Sequence, residues 1–175
     1  MLTHWNKLLT TDFTVVKIKE AMVYPIFRVG STSIMASANE VYTNNDINGI
    51  DNILVLLRDP AERFVSGLNE YCLQNKLEIH TALQMVDKGE LIDRHFAPQY
   101  IWLLHLSRFH SGSVTLLPFE HIKKLTNLHR RDTIPSRIQI RPLEKFVEID
   151  RELVTMVGQT LKLETLVKRF KHVLS

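Results

Sequence analysis

Six consecutive residues, RVGSTS from Arg28 to Ser33, combine groups that suit the binding of an oxyanion. Arg28 supplies a permanent cation with a planar fork of donors, and the hydroxyl side chains that follow supply more donors. Gly30 lets the backbone turn tightly, so that N–H groups at the start of a following helix can point at a ligand. The segment therefore predicts a phosphate or sulfate site, although a serine-capped helix after an ordinary turn explains the same residues.

A second segment, LLRDPAERFVSG, places Arg58 at the end of an apolar run. A cation there is unusual unless it meets an anion or a carboxylate. The Asp-Pro pair favours a helix start, and Arg63 and Ser66 then share one face of that helix because they are three residues apart. One interpretation is a second anion contact through Arg58 and Ser66. The alternative is a salt bridge from Arg58 to Asp59 or Glu62, with Ser66 solvated.

In this order and spacing, the two segments resemble the sulfotransferases that use 3′-phosphoadenosine 5′-phosphosulfate (PAPS) as donor. In that family, a Lys-x-Gly/Ala-Ser/Thr-Thr/Ser-Ser segment holds the 5′-phosphosulfate, and the first Arg and the Ser of Arg-Asp-Pro-x-x-Arg-Phe-x-Ser hold the 3′-phosphate. DRHFAPQ, from Asp93 to Gln99, is similar to an Asp-x-His-x-x-Pro-Gln element of carbohydrate-type and bacterial members, and LLPFEHI resembles the segment that follows it. The likeness covers about residues 24 to 122. It implies a donor site without metal, formed by Arg28, Gly30, Ser31, Thr32, Ser33, Arg58 and Ser66.

The resemblance also implies in-line transfer of a sulfuryl group to a hydroxyl of an acceptor. A small cytosolic molecule, a sugar and a lipid head group, as in a glycolipid, are the candidate acceptors. Arg28 stands where the family usually has a lysine, and it can stabilise developing charge but holds its proton too firmly to donate it. His95 is the predicted general base because imidazole titrates near neutral pH, and Asp93 would orient it or cap the next helix. A half-buried histidine bonded to backbone is the alternative.

The acceptor site is less defined by the sequence. Trp102, Phe96 and the basic segment 129–141 could line it, but core packing and a solvated loop explain them equally well. The remaining histidines considered have no comparable context and are predicted at the surface: His80, His105, His110, His121, His129 and His172.

These segments require a framework that brings strand ends together. Residues 15–27, DNILVLL and SVTLLPF read as buried strands, and helical patterns separate and follow them. The pattern predicts a single α/β domain with a three-layer, mainly parallel sheet flanked by helices. This is the P-loop nucleotide-hydrolase-like architecture that the resemblance implies, with ligands at the carboxyl ends of the strands.

Composition restricts the function classes. The 175 residues carry a formal net charge of +3, which is too little for a nucleic-acid coat protein, so nucleic-acid binding through the arginines of segment 129–141 is a minor alternative. Neither a Gly-Lys pair nor Gly-x-Gly-x-x-Gly occurs, which argues against nucleotide-triphosphate and dinucleotide loops. The lone Cys72 and the absence of a long apolar run predict a cytoplasmic protein without a transmembrane anchor. A catalytically weak nucleotide-binding module of the same fold remains the main alternative to an enzyme.

Overall fold

The computed structural model describes residues 5, 14–43, 47, 49–126 and 138–170. Its strands are β1 (Val15–Ile18), β2 (Ala21–Tyr24), β3 (Glu40–Tyr42), β4 (Asn52–Leu57), β5 (Ser113–Pro118) and β6 (Thr160–Lys162). Its helices are α1 (Ser31–Ala36), α2 (Pro60–Asn75), α3 (Ile79–Lys88), α4 (Gln99–Leu106), α5 (Ile122–Leu125), α6 (Glu144–Val154) and α7 (Leu163–Phe170), and a 3₁₀ turn at Phe119–His121 precedes α5.

The six strands form one sheet in the order β3-β1-β2-β4-β5-β6, and helices flank it. The central strands β2, β4 and β5 run parallel, whereas β1, β3 and β6 each pair antiparallel with their neighbours. The predicted α/β class is confirmed. The prediction of a mainly parallel sheet holds for the centre and is wrong for the margins, so the sheet is mixed.

The margins of the sheet differ from the prediction because the apolar pattern does not show the short turns between strands. Residues 15–27 form a hairpin rather than one strand, since the chain reverses at Lys19, whose φ is 56°, and Ile18 then pairs with Ala21. The N–H of Lys19 donates to Oδ1 of Asn39 at 2.7 Å, which ties this turn to the segment before β3. Strand β6 lies between helices α6 and α7.

The two predicted helices that follow β4 have the expected signals at their ends. Asp59 caps α2 by accepting the N–H of Glu62 at 2.8 Å, and Pro60 occupies the first turn. Helix α3 ends at Gly89, whose φ of 76° is in the left-handed region. Within the described residues, none of the helices combines the length and apolar character needed to cross a bilayer.

The buried apolar side chains form one connected cluster around the sheet. Helix α4 is buried on nearly all sides, which places Trp102 in this core together with Phe96. Of the two explanations considered for these aromatic residues, core packing is therefore the one that the structure bears out.

Two histidines that were predicted at the surface are buried, and that prediction is wrong for them. Nδ1 of His105 lies 3.3 Å from the hydroxyl of Tyr24, and Nε2 of His110 lies 3.1 Å from the carbonyl oxygen of Ser113. Burial lowers the pKa of His105 to about 4, and Arg108 adds to the shift. His80 is exposed and His121 half-buried, while His129 and His172 lie outside the described residues.

Candidate functional site

The carboxyl ends of the three parallel strands meet at one edge of the sheet. The chain leaves β2 toward Arg28, β4 at Arg58 and β5 at Phe119. Nη1 of Arg58 donates to the carbonyl oxygen of Arg28 at 3.5 Å, and its guanidinium lies 5.4 Å from the centre of the Phe119 ring. The two segments singled out in the sequence are therefore neighbours, because they follow adjacent parallel strands.

Arg28 and Ser66 are in direct contact across this edge. Nε and Nη2 of Arg28 donate to Oγ of Ser66 at 3.2 and 3.0 Å, and Nη1 lies 3.2 Å from Oε2 of Glu70. Arg28 adopts a φ of 64°, which is uncommon for a residue other than glycine. Ser66 is buried, so the alternative in which it is merely solvated is wrong.

Arg58 makes the salt bridge that the sequence left open. Its Nη2 lies 3.2 Å from Oε2 of Glu62, while Asp59 is occupied as the cap of α2. The backbone of Arg58 is fixed by Gln99, whose Oε1 accepts the Arg58 N–H at 2.9 Å and whose Nε2 donates to the Arg58 carbonyl at 3.0 Å. The backbone of Arg58 is thus rigidly held, while its guanidinium pairs with the exposed Glu62 carboxylate and also contacts the Arg28 carbonyl and the Phe119 ring.

The RVGSTS turn opens α1 without a side-chain cap. Gly30 is the N-cap residue with a φ of 72°, and its carbonyl accepts the N–H of Ile34 at 2.9 Å. A serine-capped helix is therefore not what this segment forms. Ser31 and Ser33 are half-buried and Thr32 is exposed at the start of the helix.

Gly30 has a packing role as well as a conformational one. A Cβ at this position would lie 1.9 Å from Cδ1 of Ile122 and 3.2 Å from the ring of Phe119. The turn after β2 therefore packs directly against the segment after β5. Glycine is required here by the left-handed backbone and by these two neighbours.

A buried polar network lies beneath the edge and joins its loops. Arg63 is only 2% exposed, and it donates from Nε to the carbonyl of Phe27 at 3.1 Å and from Nη1 to the carbonyl of Ala97. Asp150, on α6, accepts the N–H groups of Gln99 and Tyr100 at 2.5 and 2.9 Å, at the start of α4. These contacts fix the loops that carry Arg28, Arg58 and His95.

The charges of this network are shaped by burial. Burial lowers the pKa of Arg63 to about 10; the Asp150 carboxylate opposes this shift, and the cations of Arg58 and Arg28 add to it. Burial raises the pKa of Asp150, against the effect of Arg63 and the hydrogen bonds that Asp150 accepts. The cations of Arg58 and Arg28 are therefore close enough to act on Arg63, and positive charge of this kind favours an anion at this edge.

His95 and Asp93 form a pair on the loop before α4. Nδ1 of His95 lies 2.5 Å from Oδ1 of Asp93, which also accepts the backbone N–H of His95 at 2.8 Å. Burial opposes ionisation of Asp93, but the hydrogen bonds from His95 outweigh burial and lower the pKa of that carboxyl. His95 is half-buried, and its ring is oriented by a carboxylate rather than by a backbone group.

The His95 loop approaches α2 more closely than the sequence indicated. A Cβ at Gly67 would lie 2.1 Å from the carbonyl oxygen of His95, so only glycine allows this contact. The centre of the Phe27 ring lies 5.5 Å from the centre of the His95 ring. Because Phe27 directly precedes Arg28, this contact brings the His95 loop close to Arg28. Gly67, Phe27 and Asp150 had no role assigned from sequence, and only their three-dimensional neighbours reveal one.

An open groove of about 420 Å³ adjoins the arginine side of this edge. Its lining comprises Arg58, Ala61, Glu62, Val65, Ile138, Gln139 and Ile140. Asn69 holds its wall in place, since its side-chain amide donates to the Ile138 carbonyl at 3.2 Å and accepts the Ile138 N–H at 3.1 Å. Most of the basic segment 129–141, including Arg130, Arg131 and Arg137, lies outside the described residues, and Arg141 is exposed.

No family model, no curated protein and no solved structure matches the chain.

Proposed function

We propose that the protein is a PAPS-dependent sulfotransferase that transfers the sulfuryl group to a hydroxyl of an acceptor, with a carbohydrate as one candidate. The observation that carries this proposal is the contact of Arg28 with both Ser66 and the Arg58 side chain, where two neighbouring parallel strands end. The donor has anionic groups at both ends of its nucleoside. A cluster of cations and hydroxyl groups at a strand edge suits such a ligand.

The roles within the donor site follow the two segments. Arg58 and Ser66 would bind the 3′-phosphate, and the N–H and hydroxyl groups from Gly30 to Ser33 would bind the 5′-phosphosulfate. The ion pairs of Arg58 with Glu62 and of Arg28 with Glu70 involve partly exposed carboxylates. Such pairs contribute little, roughly 0–1 kcal/mol, so a multiply charged ligand can displace them.

The orientation of His95 supports its role as the base. A carboxylate only accepts hydrogen bonds, so the contact with Asp93 fixes the proton on Nδ1 and leaves Nε2 of the neutral ring with a free lone pair. Nε2 would take the acceptor hydroxyl proton as the acceptor oxygen bonds to sulfur. The bond from sulfur to the phosphate oxygen then breaks, and its electron pair stays on that oxygen, where nearby cations and N–H groups stabilise the charge.

The proposal extends to the whole chain. We assign it a single sulfotransferase-like domain of three-layer, P-loop nucleotide-hydrolase-like architecture, acting in the cytoplasm without a metal. The mixed six-stranded sheet with a parallel centre is compatible with that architecture.

Product formation tests the reaction directly. The protein is incubated with PAPS and a panel of hydroxylated acceptors, and sulfated products are detected by mass spectrometry. We expect His95→Ala to lower turnover about 10²–10⁴-fold while leaving nucleotide binding intact. His80→Ala, which removes an exposed histidine, is the matched control and should retain full turnover. Loss of nucleotide binding in His95→Ala would contradict its assignment as a base.

One observation favours the alternative of a binding module with little catalysis. The guanidinium of Arg28, which stands where the family usually has a catalytic lysine, is directed to Ser66 and Glu70. If Arg28 keeps these partners with donor bound, its charge supports nucleotide binding rather than the transferred group. Binding of the nucleotide without product across the whole acceptor panel would favour this alternative.

A further inference from the structure

The ring of Phe27 collects three polar or aromatic side chains on the side of the edge where His95 lies. The guanidinium of Arg94 is 4.7 Å from the centre of this ring, and the rings of His95 and Trp102 are at 5.5 and 5.1 Å. Phe27 directly precedes Arg28, so this cluster adjoins the proposed donor site. Its members have no role in holding the donor.

Arg94 differs from Arg28 and Arg58 because no carboxylate in the described part of the chain forms an ion pair with it. It is exposed, and among the described residues its guanidinium forms neither a hydrogen bond nor an ion pair. The charge of Arg94 helps to lower the pKa of the adjacent Asp93 carboxyl, but that carboxylate is hydrogen-bonded to His95 and not to Arg94. The guanidinium lies over the Phe27 ring, which attracts a cation, and its N–H groups stay available as a planar set of donors that suits a carboxylate or phosphate.

A second unpaired donor lies on the same aromatic ring. Trp102 is 7% exposed, and its Nε1–H has no hydrogen-bond partner among the described residues. An unpaired buried N–H is unfavourable. Because this nitrogen is enclosed in the core, the exposed Arg94 guanidinium is the donor of the Phe27 cluster that a ligand can reach.

We propose that Arg94 determines acceptor specificity by binding a carboxylate or phosphate on the acceptor, so that acidic hydroxyl compounds are the preferred acceptors. Because Arg94 and His95 are consecutive and contact the same ring, an anion on Arg94 places the rest of the acceptor beside the imidazole. The proposal rests on the sulfotransferase function proposed above. It adds a second anion site, distinct from Arg58 and Ser66.

The test compares matched sugars that differ in charge. Binding of 4-nitrophenyl β-D-glucuronide, 4-nitrophenyl β-D-glucoside and glucose 6-phosphate is measured by saturation-transfer NMR and calorimetry, with and without 3′,5′-adenosine bisphosphate. We expect the wild type to bind at least one of the two acidic sugars about tenfold more tightly than the glucoside. The sugar that is preferred tells a carboxylate site from a phosphate site. Arg94→Gln should lose this preference, and Arg94→Lys should keep part of it.

Controls separate this proposal from the donor site. Arg94→Gln should leave binding of 3′,5′-adenosine bisphosphate unchanged and should lower the unfolding temperature by no more than about 2–4 °C, because the residue is exposed and loses only its contact with the Phe27 ring. The proposal is overturned if the wild type binds neither acidic sugar, if it binds them no better than the glucoside, or if Arg94→Gln keeps the preference. It is also overturned if Arg58→Ala alone removes the preference, since the anion then occupies the donor site. If 3′,5′-adenosine bisphosphate does not bind but the Arg94-dependent preference persists, the donor assignment fails and the acidic-ligand site stands.

Discussion

Arg58 and Arg63 flank the first turn of α2, yet their environments are opposite. Arg63 is 2% exposed and donates to the backbone of two loops, while a buried carboxylate, Asp150, opposes the cost of its burial. The Arg58 side chain is 12% exposed and pairs with Glu62, which is 65% exposed. Arg63 is therefore committed to the fold, whereas Arg58 can exchange its partner for a ligand. Changes in the buried network beneath the edge should therefore alter stability. Changes at the cations on the rim of the edge, Arg28 and Arg58, should alter ligand binding.

The largest effect is expected from breaking the buried network. Asp150→Ala should lower the free energy of unfolding by about 3–5 kcal/mol, because it leaves Arg63 without a compensating charge and frees two buried N–H groups. Urea unfolding followed by circular dichroism measures this. Asp87→Ala removes a surface ion pair with Lys145 and should cost under about 1 kcal/mol. Equal losses of stability in the two variants would contradict the distinction between the buried network and a surface ion pair.

Buried groups should also make stability, rather than ligand binding, depend on pH. The folded pKa of His105, about 4, is below its ordinary value of 6.5, so the unfolded chain takes up a proton first as pH falls. Stability is therefore lost as pH falls from about 6.5 through 4, by about 2–3 kcal/mol after solvent screening reduces the full effect. Urea unfolding across this range checks it, with His105→Gln as the comparison that removes the step. An identical pH dependence in both proteins would show that His105 is not its source.

Ser66 joins the two regions, since it is buried but contacts a rim cation. Ser66→Ala should weaken binding of 3′,5′-adenosine bisphosphate about tenfold, because Arg28 loses its anchor and the ligand loses a hydroxyl donor. Calorimetry measures the affinity, and Ser107→Ala, which removes a hydroxyl bonded to the Leu104 carbonyl, is the control. An unchanged affinity in Ser66→Ala would remove this hydroxyl from the site.

The smallest expected effect is a gain in nucleotide affinity. Glu62→Gln releases Arg58 from its surface carboxylate and should raise affinity for 3′,5′-adenosine bisphosphate about threefold. The same change at Glu144, which pairs with Arg151, should leave affinity unaltered. A loss of affinity in Glu62→Gln would mean that the ion pair orients Arg58 for the ligand instead of competing with it.

The comparison also explains how far the sequence could be interpreted. The sequence alone could place Arg58 and Ser66 near Arg28, because a strand-ending cation and an Asp-Pro helix start are local signals. Asp150 could not, since its partners Gln99 and Tyr100 lie about fifty positions earlier in the chain. A buried carboxylate looks the same in sequence as a surface one.

The same limit applies to the sheet. Strands β4 and β5 are continuous apolar runs and were predicted. The hairpin at Lys19 turns at residues 19–20, where the sequence has no Gly, Pro, Asn or Asp to mark a turn. The three-residue strands β3 and β6 depend on pairing with distant strands, and short edge strands carry little apolar pattern. The parallel centre that positions the site was therefore predictable, while the antiparallel margins were not.

The most direct test of the central claim is the thermal unfolding of the wild type and of Arg58→Ala with and without 3′,5′-adenosine bisphosphate. At about one hundred times the dissociation constant, the wild type should unfold roughly 5–10 °C higher than without ligand. Arg58→Ala should lose most of this shift, and Arg169→Ala, which breaks a surface pair with Glu152, should keep it. No shift in the wild type, or a full shift in Arg58→Ala, would contradict the assignment of this edge as a PAPS site.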